Sequence, residues 1–432
     1  MAKLKYLIQN INIMKLSLIG ISIICLFTVN TYGQKKMNLE NIFSIIQKDY
    51  PEMKMYDAEI RSSDEAAKGA KSWTPPEFGA GFFMTPYNLN LTKSTTNSMG
   101  TQNGMGSFMI TASQMFPNKK EQNANAEYLQ SLSSVNKENK QFSLNNLYAE
   151  AKRNYYDWLV IEKKQSVLNE NEKLLNFMIQ STELRYKNNL GKLNAYYKAK
   201  AELGKIENQR EALNNEINQK QIFLNTLMNR DKNEDFQIDT NYTIKTYPSI
   251  DTNYLIQSRS DIKAVEQDLK VNQLELNLEK ARQFPQFGVQ YDHYFGFGKS
   301  PWLYTIMATI KIPLAPWSAG SYKADIESLK WKQQSFEAQK QMILNEASGE
   351  AEGLLSSIRS KKKQLQLFEE NIIPALKKNY QIMQLAYEQN TGELFELLDA
   401  WRTLNMTQLD YLDQLQELLN LQVQMDKILE QK

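Results

Sequence analysis

Two carboxylates three residues apart, Glu396 and Asp399, are the residues best placed to act on a charged solute. At that spacing they share one helix face. Two readings stand side by side. Acids in the first turn of a helix answer the positive end of its dipole and need do nothing more. Repeated around a pore, the same acids would favour cations and resist close packing without counter-ions. No enzyme chemistry competes with either. The chain has one His (His293) and one Cys (Cys25), no Gly-rich phosphate loop, and no nucleophile beside a base. No cofactor and no resident metal site is expected. Met84, Met99, Met105, Met109 and Met115 offer thioethers that suit Cu(I) or Ag(I), but Met on a strand more often serves as an apolar lipid-facing or lumen-lining residue. A net charge of +2 and 23% charged residues give no ground for nucleic-acid binding.

The acids follow a turn, Ala386 to Ala400, that has a paler copy 201 residues earlier, Arg185 to Ala199. Tyr186 matches Tyr387, Asn189 matches Asn390 and Gly191 matches Gly392. Asn and Gly two residues apart between helical patterns read as a tight helix–turn–helix, since both types tolerate the left-handed conformation that ends a helix. A turn that occurs twice predicts a fold that occurs twice. Ala195 and Lys198 stand where the second copy has Glu396 and Asp399.

The flanking order supports the duplication. Residues 1–33 carry Lys3, Lys5 and Lys15 ahead of the apolar run Leu16 to Val29, the pattern of a cleaved signal peptide; lipidation at Cys25 is disfavoured by the bulky Ile24 before it. The first repeat spans 34–229: a helix over 39–72, a β-hairpin over 77–116 around a polar loop, a long helix over 118–187 and a shorter one over 193–229. A mid-chain linker occupies 230–250, rich in Asp, Asn, Thr and Pro. The second repeat, 251–432, brings a helix over 254–282, a hairpin over 286–313, a long helix over 317–389 interrupted only at Pro374, and a closing helix over 394–430. Leu397, Trp401, Leu404, Gln408, Tyr411, Leu415, Leu418, Gln422, Met425 and Leu429 step by four and three, the seam of a coiled coil. Each long helix would reach roughly 105–110 Å, and the short helices of each half sum to about the same. Short pairs therefore stack along long ones, with strands at one end and turns at the other.

The hairpin strands are about ten residues long, enough to cross a bilayer when tilted. They carry Phe82, Phe83, Tyr87, Tyr294, Phe295, Trp302 and Tyr304 towards their ends, where an interfacial girdle would lie. Four strands cannot close a barrel, so crossing a membrane would need several chains. Two amphipathic hairpins capping a water-soluble bundle is the plainer alternative.

Together these features resemble the TolC-like outer-membrane efflux channel family (outer membrane factors) over about residues 38–430. The carriers are the two Tyr-x-x-Asn-x-Gly turns, Glu396-Leu-Leu-Asp-Ala400, Arg259-Ser-Asp261, Ala281-Arg-Gln-Phe-Pro285 and Ser113-Gln-Met-Phe-Pro117. The last, with the Met-containing first hairpin, looks most like the heavy-metal efflux branch. The resemblance implies a mainly α chain with β: a coiled-coil helical barrel in the periplasm, and a homotrimer sharing a twelve-stranded barrel in the outer membrane of a Gram-negative bacterium. Its partners would be a periplasmic adaptor, an inner-membrane pump that selects the cargo, and outer-membrane lipid. It also implies a periplasmic gate at Glu396 and Asp399, and adaptor-docking turns at Tyr186, Asn189, Gly191, Tyr387, Asn390 and Gly392. The rival is a periplasmic coiled-coil adaptor or scaffold without a barrel.

Overall fold

One long helix forms the axis of the molecule. The computed structural model describes residues 36–85, 95–97, 100–102, 106–188, 193–298, 300–313, 315, 317 and 319–432; the expected signal peptide, Tyr87, Met99, Met105, Asn189 and Gly191 lie outside them. Ahead of the axis stand β1 (Lys36–Met37), α1 (Leu39–Asp49) and α2 (Pro51–Lys68), then β2 (Glu77–Phe83), β3 (Thr95–Asn97), β4 (Gly100–Gln102) and β5 (Ser107–Phe116). The axis itself, α3 (Lys119–Lys187), runs 69 residues unbroken, about 104 Å at the standard rise. Asn118 caps it, accepting the Lys120 amide at 2.9 Å, and neither Pro nor Gly occurs inside it. There follow α4 (Leu193–Leu227), β6 (Gln237–Ile238), α5 (Thr252–Ser258), α6 (Ser260–Ala281), β7 (Gln286–Gly296), β8 (Leu303–Lys311), α7 (Ala319–Leu367), α8 (Ile373–Glu388) and α9 (Leu394–Leu429).

Several expected helices prove to be segmented. The helix over 39–72 divides because Pro51 forces the residue before it out of helical geometry, and Tyr50 is extended at φ −65°, ψ 130°. The helix over 254–282 divides at Arg259, also extended. There the free amide of Ser260 goes to Glu430 at 2.7 Å, and the Ser260 hydroxyl follows at 2.6 Å. Pro374 leaves the last long helix unbroken but widens it into a π-turn, Phe368–Ile372, in which the Ile373 amide reaches the Phe368 carbonyl. A proline cannot donate to the carbonyl four residues back and clashes with it, so a wider turn relieves both faults.

The helices pack as the length argument requires. α3 touches α1, α2, α4, α6 and α9, while α7 runs beside α6 and α9, and α8 beside α9. Short helices meet end to end at the waist. Asn229, just past α4, donates to the Asp49 carbonyl at 3.2 Å, and Glu430, just past α9, holds Ser260. Asn229 and Glu430 are 201 residues apart and both left-handed, at φ 53° and 50°. Each is followed by the same bond, Arg230 amide to Asn225 carbonyl and Gln431 amide to Asp426 carbonyl, at 2.9 and 2.8 Å. The closing helix buries more than its expected seam: Leu398, Leu412, Leu419, Val423 and Ile428 join it, while Gln408 and Tyr411 are only half-buried.

Residues 230–250 form a wall rather than a free linker. β6 pairs in parallel with β1, Phe236, Ile238 and Tyr247 lie in the core beside Trp158 and Leu418, and Tyr155 donates to the Asp239 carbonyl at 2.7 Å. Burial pushes the Tyr155 phenol up to about 12.

At the other end of the axis, β2, β5, β7 and β8 form one four-stranded antiparallel sheet in that order. The expected polar loop holds a small hairpin of its own, β3 against β4. Cross-strand partners share a face, so the registers sort the main sheet into two. One face carries Phe78, Ala80, Phe82, Phe108, Ile110, Ala112, Val289, Tyr291, Phe295, Ile306, Ala308 and Ile310; the other carries Glu77, Thr111, Ser113, Gln290, Asp292, Thr305, Thr309 and Lys311. The apolar face is open: Phe78 is 76% exposed and Ile306 66%. On the polar face Asp292 accepts from Gln290 at 3.0 Å and from the Thr111 hydroxyl.

At the waist, Asp426 accepts from Lys152 at 2.6 Å, Lys245 at 2.7 Å and Tyr247 at 2.8 Å. Burial lowers the Lys152 ammonium from its ordinary value, against the pull of Asp426. Asp426→Ala should strand Lys152 and destabilise the chain by about 3–5 kcal/mol, whereas Lys152→Met with Asp426→Leu should recover most of the loss; denaturant unfolding of all three proteins checks this.

Candidate functional site

The turn between α8 and α9 lies at the end of α3 opposite the sheet. The Ala386 carbonyl accepts the Thr391 amide at 2.9 Å, the Gly392 amide at 3.1 Å and the Thr391 hydroxyl at 3.1 Å. Asn390 is left-handed at φ 59°, the conformation its side chain tolerates. Gly392 is not, so its place there has a different cause. A Cβ on Gly392 would stand 3.0 Å from the Ala386 Cβ; the glycine lets the two helices meet closely.

The two acids sit on one exposed face, as their spacing requires, between the buried Leu394, Leu397, Leu398 and Trp401. Glu396 closes a capping box with Glu393: its carboxylate accepts the Glu393 amide at 3.4 Å while the Glu393 side chain accepts the Glu396 amide. It therefore does the dipole-answering work of a helix start. Asp399 has no partner among the described residues. Lys198, which matches Asp399 in the other copy, lays its ammonium 4.3 Å from the centre of the Phe395 ring, next to Glu396.

The six turn residues divide by environment. Tyr186 is exposed, whereas Tyr387 is 4% exposed. Tyr387 is held by groups that the sequence reading passed over. The Arg185 guanidinium stacks 4.0 Å from its ring centre and donates to its carbonyl, and Thr182 shares a hydrogen bond with its hydroxyl at 3.3 Å. Tyr387 thus anchors the turn and presents its ring to no outside partner in this conformation. Asn189 and Gly191 lie outside the described residues. A second clasp joins the copies: Glu202 on α4 accepts from Arg402 on α9 and from Lys205 at 3.0 Å. Burial alone would lift the Glu202 carboxyl, but the hydrogen bonds from Lys205 and Arg402 outweigh it and hold it below the usual range. A signal for these residues was present. Arg185 aligns with Ala386, Glu202 with Thr403 and Arg402 with Ala201, so the bridging charges are those the 201-residue offset fails to match.

Among the described residues, Met109 and Met115 are too far apart to share one ion. Met109 and Met115 share the polar face of β5, but six residues along a strand is about 20 Å. His293 lies on the apolar face, with Nδ1 3.2 Å from the Tyr291 hydroxyl. Among the described residues no cluster of His, Cys, Asp or Glu is placed to hold a metal, and no helix is long and apolar enough to cross a membrane.

Solved structures share this fold. The outer-membrane channel OprN matches with a TM-score of 0.70 over 91% of this chain and 90% of its own, at 16% identity. The fold is that of an outer-membrane channel. CusC, studied for its folding and transmembrane channel formation, matches at 0.70 over 91% and 92%, with 14% identity. VceC from Vibrio cholerae matches at 0.66 over 90% and 95%, with 16% identity. No family model and no curated protein matches the sequence.

Two outcomes are expected at the tip. Arg185→Ala should raise hydrogen exchange of the turn amides about tenfold, the factor for loss of one charged hydrogen bond worth about 1.4 kcal/mol. For Glu202, a folded value below the unfolded 4.5 means its stabilisation is present above that pH and lost as pH falls through the depressed value. The melting temperature should therefore drop less steeply in Arg402→Ala than in wild type between about pH 5 and about pH 3.

Proposed function

We propose that three copies of this chain form the outer-membrane exit duct of an efflux system. Each copy contributes its four-stranded sheet to a twelve-stranded barrel, and the helices continue inward as a periplasmic tunnel. The observation that carries this reading is the sheet with an exposed apolar face, a polar face and two unpaired edges. Lipid would cover such a face, and closing the sheet with further copies would pair the backbone groups that an open edge leaves unsatisfied there. β5, β7 and β8 have 10, 11 and 9 residues, enough for a tilted crossing. Aromatic residues stand at both ends of the apolar face, Phe82, Phe108, Phe295 and Trp302 at one, Trp73, Phe116 and Phe287 at the other. A coiled-coil adaptor or scaffold gives this sheet nothing to do.

The halves 34–229 and 251–432 are read as a duplicated unit, supported by the two left-handed helix ends and their matching bonds 201 residues apart. Conduction is passive and driven by an inner-membrane pump through a periplasmic adaptor that meets the turns. Tyr186, Asn189, Gly191, Asn390 and Gly392 form the candidate docking surface, with Tyr387 as the anchor beneath. Around a threefold axis Glu396 and Asp399 would supply six carboxylates, a ring that favours cations. Its acids come from one turn of each copy alone, since the other carries Lys198.

OprN is described as an outer-membrane channel, CusC as forming a transmembrane channel and VceC as an outer-membrane protein, and likeness of fold supports a place for this chain in the outer membrane, reaching into the periplasm. Membrane extraction should require detergent, release a trimer, and give ion-conducting pores in planar bilayers. Glu396→Ala with Asp399→Ala should change the conductance and lower the cation preference. A monomer that stays in solution without detergent would overturn the duct; unchanged conductance and preference would remove only the gate.

A further inference from the structure

The two edges of the sheet differ in a way that selects their partner. β2 has one charged side chain, Glu77, and β8 has one, Lys311. Each stands at the helix-proximal end of its strand, the first residue of β2 and the last of β8. Both project on the polar face, since Glu77 pairs in register with Ser113 and Lys311 with Gln286. Both are exposed, and neither has a hydrogen bond or ion pair among the described residues. Charges on edge strands commonly ward off edge-to-edge association, a task that like charges on the two edges would serve. Here the signs are opposite.

We infer that Glu77 of one copy pairs with Lys311 of the next and dictates which edges join when the barrel closes. The inference rests on the trimeric barrel and adds the contact that closes it. β2 leads away from the helices and β8 returns towards them, so a β2–β8 junction is antiparallel and continues the alternation of the sheet. Its register is constrained by the faces: a slip of one residue would turn apolar side chains inward, so only shifts by even numbers keep the two faces intact. Matching the strand ends then sets Glu77 opposite Lys311 or one diagonal step away, within reach of both long side chains. The competing junctions are penalised. With all helices on one side of the membrane, β2–β2 or β8–β8 contacts run parallel and bring like charges to the same level, which is destabilising. Opposite charges on opposite edges therefore favour a head-to-tail junction, the kind that generates a closed ring.

Charge reversal tests the pairing on the full chain purified in detergent, read as the temperature at which the trimer dissociates on a semi-native gel. Glu77→Lys and Lys311→Glu should each lower that temperature, and the double reversal should restore it. In parallel, Glu77→Cys with Lys311→Cys treated with a short bis-maleimide should yield linked pairs and covalently closed trimers, whereas Glu77→Cys alone should yield monomer. Wild-type behaviour in both single reversals, no rescue in the double, or linked pairs from Glu77→Cys alone would overturn the pairing while leaving the trimer standing. A wild type that purifies as a monomer would overturn the barrel, and the pairing with it.

Discussion

The arrangement depends on one helix that does not break. α3 joins the sheet to the turns in a single run of 69 residues, and every other long-range relation is measured along it. Near the sheet it packs α2 and α6, at the waist α1 and the segment 230–250, and near the turns α4 and α9. Its apolar positions fall into two groups: one from Leu144 to Val160 serves the waist, and Leu168, Leu175 and Met178 serve the tip. A helix this polar has little reason to stay folded alone. The neighbours hold it, and it in turn fixes how far apart they stand.

The ends of that axis face different surroundings. At the sheet, alternate side chains sort into one mainly apolar face, interrupted by Gln114 and His293, and one on which Thr111, Ser113, Gln290, Asp292 and Thr305 are interleaved with Met109, Met115 and Leu303. At the tip, charged side chains are spent within the chain: Arg185 on Tyr387, Arg402 on Glu202, Glu396 on the start of its own helix. The waist between them carries a third kind of chemistry, the buried carboxylate of Asp426 held by two ammonium groups and a phenol, which ties the mid-chain segment to α3 and α9. Removing one partner there leaves a buried charge, so the waist resists being pulled apart.

Most of the architecture was legible because it depends on periodicity and on repeated punctuation. Alternation along β5, β7 and β8 and the long Pro-free stretch over 118–187 are local signals, and the structure follows them closely. The misplaced features are those where a single residue or a distant partner decides. Pro51 splits a helix that hydrophobic spacing alone reads as continuous. The break at Arg259 has no local cause strong enough to see, since Glu430 supplies the competing acceptor from the far end of the chain. The segment 230–250 reads as a linker by composition, yet Phe236, Ile238 and Tyr247 find a core that only the packed waist creates. At the tip, Glu396 and Asp399 were visible as types and spacing, but the Arg185–Tyr387 contact joins residues 202 positions apart and was marked only by a charge without a counterpart.

The π-turn at Phe368–Ile372 has a consequence of phase. One extra residue in the helical ladder rotates everything beyond it by roughly 100° about the helix axis. The stripe that α7 turns towards α6 and α9 is thus re-aimed before α8 begins, and α8 packs along α9 and, through Tyr387, against the end of α3. A strictly regular helix of this length would have to drift around its neighbours or supercoil to keep contact. Here the correction is made in a single step, so one helical rod keeps two different sets of company.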